Sequence, residues 1–364
     1  EIIEIKTNLE DHIPIDMQSF EAKLVSDSWN NYIFSLIIKA RTDKLDLKTI
    51  ETKENISNTL NSLNLSINKS MKRRVLSKIY MYLLKGFDFA ARIFNSPTAV
   101  LIVNPYLSKL NNLKLRIKLR VFARSVSRKE FKEPYEYNKD FRIALSTSNE
   151  DNSEYEVFLN KILLQQIPFM YAEGLPDLRK EAERNKWPKT PSSIVTAVDY
   201  LSNDVFKYYC ATKILSGTKI KTICHGGSGK YKYSDWQAMD FNVCDDHFTW
   251  GWSEYSSKCV KGFFVKDTGY RRKGNKDEKS LLHIPLSQFR YQKGLDAAPS
   301  YEQYINIYIK DQIQFLQALR KEVKNATIIK LSHDFQNSFK NRIDDKCPPM
   351  LYATPSDNFY TMSS

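Results

Sequence analysis

The sequence predicts an α/β protein of two domains, with a parallel sheet in the second. Three observations carry this reading. At 364 residues the chain is longer than most single domains and matches two. Its 42% hydrophobic content is enough for real cores. From Ser193 onward, short β-branched runs alternate with amphipathic stretches, which is the pattern of βαβ units.

The opening EIIEI at Glu1 is strand-like and fits a natural start that has been trimmed. Phe34–Ile38 (FSLII) fits either a strand or a buried helical turn. From Ile56 to Ile93 the period is helical, with helices expected over Ser57–Leu65 and Val75–Phe94. These form a helical insertion in the N-terminal half. The second helix is apolar nearly all round and follows Lys72–Arg74, so it reads as a core helix or a membrane-facing one.

Ala99–Val103 is the first strand, set between Ser96-Pro97 and Asn104-Pro105. A second strand is expected over Leu115–Phe122, with a polar loop after it. Asp140–Tyr155 reads as an exposed loop, and Glu156–Gln166 as a helix. Glu173-Gly174 ends one element, and Pro176 sits in the first turn of the next helix. The Pro-punctuated connector Lys186–Pro191 is the expected domain boundary, giving domains 1–187 and 188–364. Beyond it the expected elements are the strand Ser193–Ala197, the helix Asn203–Leu215 and the strand Lys219–Cys224. After a glycine-rich loop and the segment Phe248–Trp252, strands are expected over Gly262–Val265 and Ser280–Ile284. A long helix over Tyr301–Lys324 and the strand Ala326–Leu331 close the series.

Composition narrows the function classes. No apolar run is long enough to cross a bilayer, and no leader pattern opens the chain. Five cysteines, odd in number and without CxxC spacing, fit neither a disulfide scaffold nor a zinc site, and point to a reducing cytoplasm. The formal charge of +13 favours a polyanionic partner, such as a phosphorylated substrate or an anionic membrane face. The same charge also fits a lysine-rich composition with no binding role. No long basic tail or nucleic-acid signature accompanies it.

In parallel sheets, ligands bind beyond the carboxyl ends of the strands. The loop after KIKTIC is therefore informative: His225, Gly226, Gly227, Ser228, Gly229 and Lys230 follow Cys224. Three glycines in four positions let backbone N–H groups approach a phosphate, and Lys230 adds charge. The loop is neither a Walker A sequence nor a dinucleotide turn, and it also fits a tight surface turn. His225 fits a role in orienting sugar or phosphate, or a structural one.

Carboxylates are the next candidates, because group transfer can use them as nucleophile or as base. Asp204 opens a helix just after a strand, where it serves as nucleophile or as part of a helix cap. Glu130 lies in the loop after the second expected strand, and Glu173 in YAEGLPDLR. Phe248–Glu254 (FTWGWSE) offers two tryptophans for stacking on a ring or for the core. Arg290, Tyr291 and the cluster Arg271–Lys273 are candidate phosphate donors. No DxD sits at a strand end, so no metal is expected.

YAEGLPDLRKEA, NDVFKYY, HGGSGKYKYSDW and FTWGWSE occur in that order. Together they resemble the transferases encoded in bacterial surface-carbohydrate clusters, whose pattern runs EGF…DE-FK…QHGGGYG…D-Y-TWGW. Those look related to retaining β-Kdo transferases. The resemblance implies two Rossmann-like domains facing a cleft, a GT-B-like arrangement, with an N-terminal acceptor side and a C-terminal donor side. It implies transfer of Kdo from CMP-β-Kdo to a lipid-linked glycan of lipopolysaccharide O-antigen or capsule. Asp204 would form a covalent glycosyl-aspartate, and Glu130 or Glu173 would be the base. His225, Gly226, Gly227, Ser228, Lys230 and Arg290 would bind the donor. Such an enzyme would be cytoplasmic and peripheral at the inner membrane. Candidate partners are that membrane surface and other glycosyltransferase modules, with no nucleic acid. Here HGGSGK replaces HGGGYG and Cys224 replaces the usual Gln, which keeps a UDP- or GDP-sugar donor open. A non-catalytic basic protein binding nucleic acid or membrane is the reading from another class.

Overall fold

The structure is a computed structural model. It describes residues 3–5, 12–41, 48–50, 86, 98–119, 121, 131, 135–145, 153–185, 187–225, 240–253, 256–265, 281–286, 291, 301–331 and 338–353. The expected helices of the N-terminal insertion lie outside them, save Gly86, which is helical. The chain divides into two compact units, Glu1–Leu60 with Lys69–Gly269, and Asn61–Asn68 with Tyr270–Ser364. The division falls beyond Gly269 and not at 187. The reason is strand pairing: the strand before the connector and the strand after it are neighbours in one sheet.

In the first unit, β1 (Ile3–Ile5) pairs in parallel with β2 (Lys48–Ile50). Between them lie α1 (Met17–Lys23) and α2 (Asp27–Arg41), the latter containing the FSLII segment. The main sheet runs in the order β3 (Leu101–Val103), β4 (Ser193–Thr196), β5 (Lys219–Ile223), β6 (Asp246–Thr249) and β7 (Cys259–Lys261), all parallel. The last strand lies just before the expected Gly262–Val265.

The connection from β3 to β4 holds α3 (Lys109–Leu119), α4 (Lys139–Ala144), α5 (Glu154–Gln166), a 3-10 turn (Phe169–Tyr171) and α6 (Leu175–Arg184). Then α7 (Asp199–Ser202) and α8 (Asp204–Ile214) join β4 to β5. α6 packs on α8, and together they cover one face of the sheet. Leu101, Ile194 and Ile220 are in register across three strands and are 0–2% exposed, so they meet Leu178, Val205 and Phe206 as one apolar layer.

Two expectations are corrected. Leu115–Phe122 is not a strand, because its first five residues belong to α3. The alternation LKLRIKL suggests a strand period, but Leu, Lys and Arg are good helix formers without β-branching. The helix is fixed by buried Arg116, which donates to the Ile102 carbonyl at 2.7 Å and to Asn112 at 3.0 Å. Asp140–Tyr155 is not all loop. Asn138 caps α4 by accepting from the Phe141 amide, and Ser153 with Glu156 forms a capping box on α5.

The second unit carries a three-stranded parallel sheet, β8 (Leu281–His283), β9 (Thr327–Ile329) and β10 (Leu351–Tyr352), in the order β10-β9-β8. The expected long helix starts as α9 (Tyr301–Gln303), passes through a π-helical turn (Tyr304–Tyr308) and continues as α10 (Ile309–Ala318). It breaks where Leu319 is extended, and α11 (Lys321–Asn325) follows. With α12 (Ser338–Lys346), these helices enclose Tyr304, Ile309, Leu316, Ile329, Phe339 and Ile343. The fold is therefore α/β with parallel sheets of five and three strands. Among the described residues no helix is long and apolar enough to cross a membrane.

Candidate functional site

The five-stranded sheet carries a buried row that includes polar side chains. Val103, Thr196, Thr222 and His247 are in register, and all are 0–1% exposed. Thr222 Oγ1 lies 2.8 Å from His247 Nδ1. Burial, and then the nearby His225, lower the His247 pKa to about 4, so its ring is neutral at ordinary pH.

Four strand-end loops converge above this row. After β3, Asn104 (φ 45°) and Tyr106 (φ 57°) both adopt left-handed backbone, which non-glycine residues seldom do. Asn104 donates to Asp199 at 2.9 Å, and its carbonyl accepts from the Ala197 amide, so the loops after β3 and β4 are tied together. The Tyr106 ring lies 6.1 Å from the ring of His225, in the loop after β5. From the loop after β6, Trp250 Nε1 donates to the Cys224 carbonyl at 3.0 Å. Gly251 makes that loop possible with φ 103°. Trp250 stays partly exposed and meets Phe264 edge-on at 4.5 Å, whereas Trp252 is buried near His247. The two tryptophans of FTWGWSE thus divide between site edge and core.

Asp204 is the first residue of α8. Asn203 caps the helix by accepting from the Phe206 amide at 3.2 Å, which leaves the Asp204 side chain for other partners. It is 7% exposed. Its Oδ2 accepts from the Met17 amide at 3.1 Å, and its Oδ1 accepts from the Tyr171 hydroxyl. Lys207, three residues further along α8, donates from Nζ to that same hydroxyl at 3.1 Å. Burial, then the Asp204 charge, raise the Tyr171 phenol far above its ordinary value, so it keeps its proton and acts as donor. Asp204 borders a small cleft shared with Asp16, Gln18, Phe131, Ser202 and Asn203. A carboxylate held this way, at a helix N-terminus, suits attack on an electron-poor carbon or stabilisation of a developing cation.

Glu173 has a different situation. Arg142, 1% exposed, donates to both of its oxygens at 2.7 Å and to the Leu164 and Ile167 carbonyls at 2.8 Å. Burial pushes the Glu173 carboxyl up, but the guanidinium and the Asn138 amide outweigh this and leave it below its ordinary value. The turn from Phe169 to Gly174 is tight: the Gly174 amide donates to the Phe169 carbonyl at 2.7 Å, and a Cβ on Gly174 would lie 3.2 Å from Met170 Cα. Glu173 thereby anchors the turn that presents Tyr171 to Asp204.

Asp204, at the start of α8, and His225, in the loop after β5, belong to one unit, while Glu173 points into an ion pair. Glu130, Gly226, Gly227, Ser228, Lys230, Arg290 and Arg271–Lys273 lie outside the described residues. The sequence reading missed Tyr171, Asn104 and Tyr106. Lys207 stood within NDVFKYY at i+3 from Asp204, a spacing that puts both on one helix face.

The model of the LIC12162 family transferase matches residues 3–363. No curated protein and no solved structure matches the chain. Matched over nearly its whole length, the chain belongs to the LIC12162 family of transferases.

Proposed function

We propose that the chain is a retaining glycosyltransferase of bacterial surface-polysaccharide biosynthesis, acting through a covalent glycosyl-Asp204. The donor would be CMP-β-Kdo and the acceptor a lipid-linked glycan. The observation that carries this reading is the buried Asp204 carboxylate, with a donor on each oxygen, bordering a small cleft at the start of α8. Membership in a transferase family supports group transfer. The preference for CMP-Kdo rests on the HGG and FTWGWSE motifs, which resemble those of surface-carbohydrate transferases that look related to β-Kdo transferases. HGGSGK in place of HGGGYG keeps a UDP- or GDP-sugar donor open.

Attack by Asp204 on the anomeric carbon would expel the nucleotide, and an acceptor hydroxyl would then displace the aspartate. Glu173, committed to Arg142, is a poor base for that hydroxyl. Glu130 remains the other candidate that the sequence offers for this base. In parallel sheets ligands bind beyond the carboxyl ends of the strands, which supports His225 and Trp250 as contacts for sugar or nucleotide.

Asp204→Ala is expected to abolish transfer from CMP-Kdo while the protein stays folded, and full activity in this variant would remove the nucleophile. Thermal-shift measurements with CMP, UDP and GDP test the donor class. A selective response to CMP supports the reading, and one to UDP or GDP replaces the donor. No response to any nucleotide, with salt-dependent binding to nucleic acid or anionic vesicles, would favour the basic binding protein.

A further inference from the structure

The hydroxyl of Tyr171 stands between two groups on one face of α8. It donates to Asp204 Oδ1 and accepts from Lys207 Nζ at 3.1 Å, and that same ammonium lies 5.5 Å from the centre of the Tyr171 ring. The backbone makes this arrangement rigid. Asp204 and Lys207 are fixed three residues apart on a helix capped by Asn203. Tyr171 closes a 3-10 turn whose amides at Phe169 and Met170 bond the Pro14 and Ile15 carbonyls, next to the Met17 amide that holds Asp204 Oδ2.

We propose that Tyr171, backed by Lys207, is a positioning pair that orients the Asp204 carboxylate and stabilises its negative charge as the sugar departs. This rests on the glycosyl-Asp204 reading above. In the first step an Asp204 oxygen bonds the anomeric carbon, and the sugar–phosphate bond breaks with its electron pair leaving on the nucleotide. In the second, the acceptor oxygen bonds that carbon and its proton passes to a carboxylate base, for which Glu130 is the candidate. The Asp204–carbon bond breaks and its electron pair returns to the carboxylate. The Tyr171 proton is not transferred in either step. Its hydrogen bond is strongest when Asp204 carries full charge, and so it favours breakdown of the covalent intermediate. Lys207 polarises the phenol and strengthens that bond.

Removing the donor leaves a more basic aspartate, which is the better nucleophile and the poorer leaving group. A purely structural tyrosine has no such signature. The test uses the full chain with CMP-Kdo and a glycan acceptor. Turnover and the steady-state fraction of protein carrying sugar, read by intact mass spectrometry, are compared for the unchanged protein, Tyr171→Phe, Lys207→Met and Lys207→Arg. Losing one hydrogen bond to a charged group predicts turnover about ten- to a hundredfold lower in Tyr171→Phe, together with a higher sugar-bearing fraction. Lys207→Met moves both readouts the same way by less, and Lys207→Arg restores them.

Slower turnover with the sugar-bearing fraction unchanged or reduced overturns the proposal, as does unchanged turnover. Should Tyr171→Phe fail to fold, Lys207→Met, at its partly exposed position, decides the matter by the same two readouts. Absence of adduct from the unchanged protein and from every variant removes the glycosyl-Asp204 reading itself, a result separable from failure of the positioning pair alone.

Discussion

Arg142 grips Glu173 through two parallel hydrogen bonds of 2.7 Å each, at a site where the arginine is 1% exposed. The remaining guanidinium nitrogen spans the Leu164 and Ile167 carbonyls at the end of α5. This ion pair joins three segments, namely α4, the end of α5 and the turn before α6, and that turn carries Tyr171 to Asp204.

Glu173→Gln is therefore expected to act on stability first. Leaving a buried guanidinium without its charge partner costs about 3–5 kcal/mol, read as a lower denaturation midpoint. The Glu173 carboxyl titrates below its ordinary value, so its contribution is present above that value and is lost as pH falls through the folded pKa. A base would behave otherwise, with transfer falling while the denaturation midpoint held.

Asp240 offers a separate pH-dependent test. It is 2% exposed, and burial raises its pKa to about 7. Between its ordinary range and that value the folded protein holds a proton that the unfolded chain has lost, so this group lowers stability as pH rises towards 7. Asp240→Asn removes the penalty. Its advantage over the unchanged protein should be near zero at about pH 4 and reach roughly 4 kcal/mol above pH 7. Denaturant titrations at the two pH values measure the difference. His247 acts with the opposite sign, destabilising as pH falls towards 4, and its slope should emerge in the Asn variant.

The two tryptophans of FTWGWSE should fail in different ways. Trp250→Ala removes a partly exposed ring whose indole N–H holds the Cys224 carbonyl, and is expected to raise the KM for donor or acceptor about tenfold with little change in the melting curve. Trp252→Ala empties a core position and should cost about 3 kcal/mol or more, read by denaturation.

Much of this is legible in the residues, for physical reasons. β4, α8 and β5 stand out because apolar and β-branched runs there are short, periodic and bounded by clear stops. Asp204 stands out because a carboxylate at a helix start after a strand is either a cap or a functional group. In the structure the cap is Asn203. α3 reads as a strand because LKLRIKL alternates, although it is made of helix formers. The start of α5 carries a readable signal in Ser153 and Glu156, a capping box that outweighs the polarity of the surrounding segment. The connector at Lys186–Pro191 reads as a boundary because it is punctuated by prolines, but such connectors also join elements of one sheet, and pairing makes β3 and β4 neighbours. Tyr171 could not be found from the sequence. Its contact with Asp204 spans 33 residues and depends on how a short 3-10 turn packs against α8.

The most direct measurement is peptide mapping by mass spectrometry after incubation with CMP-Kdo and no acceptor. We predict a mass increase of one sugar residue, confined to the peptide containing Asp204 and released when acceptor is supplied. Sugar carried on another carboxylate, or transfer that proceeds undiminished in Asp204→Ala, would contradict the account.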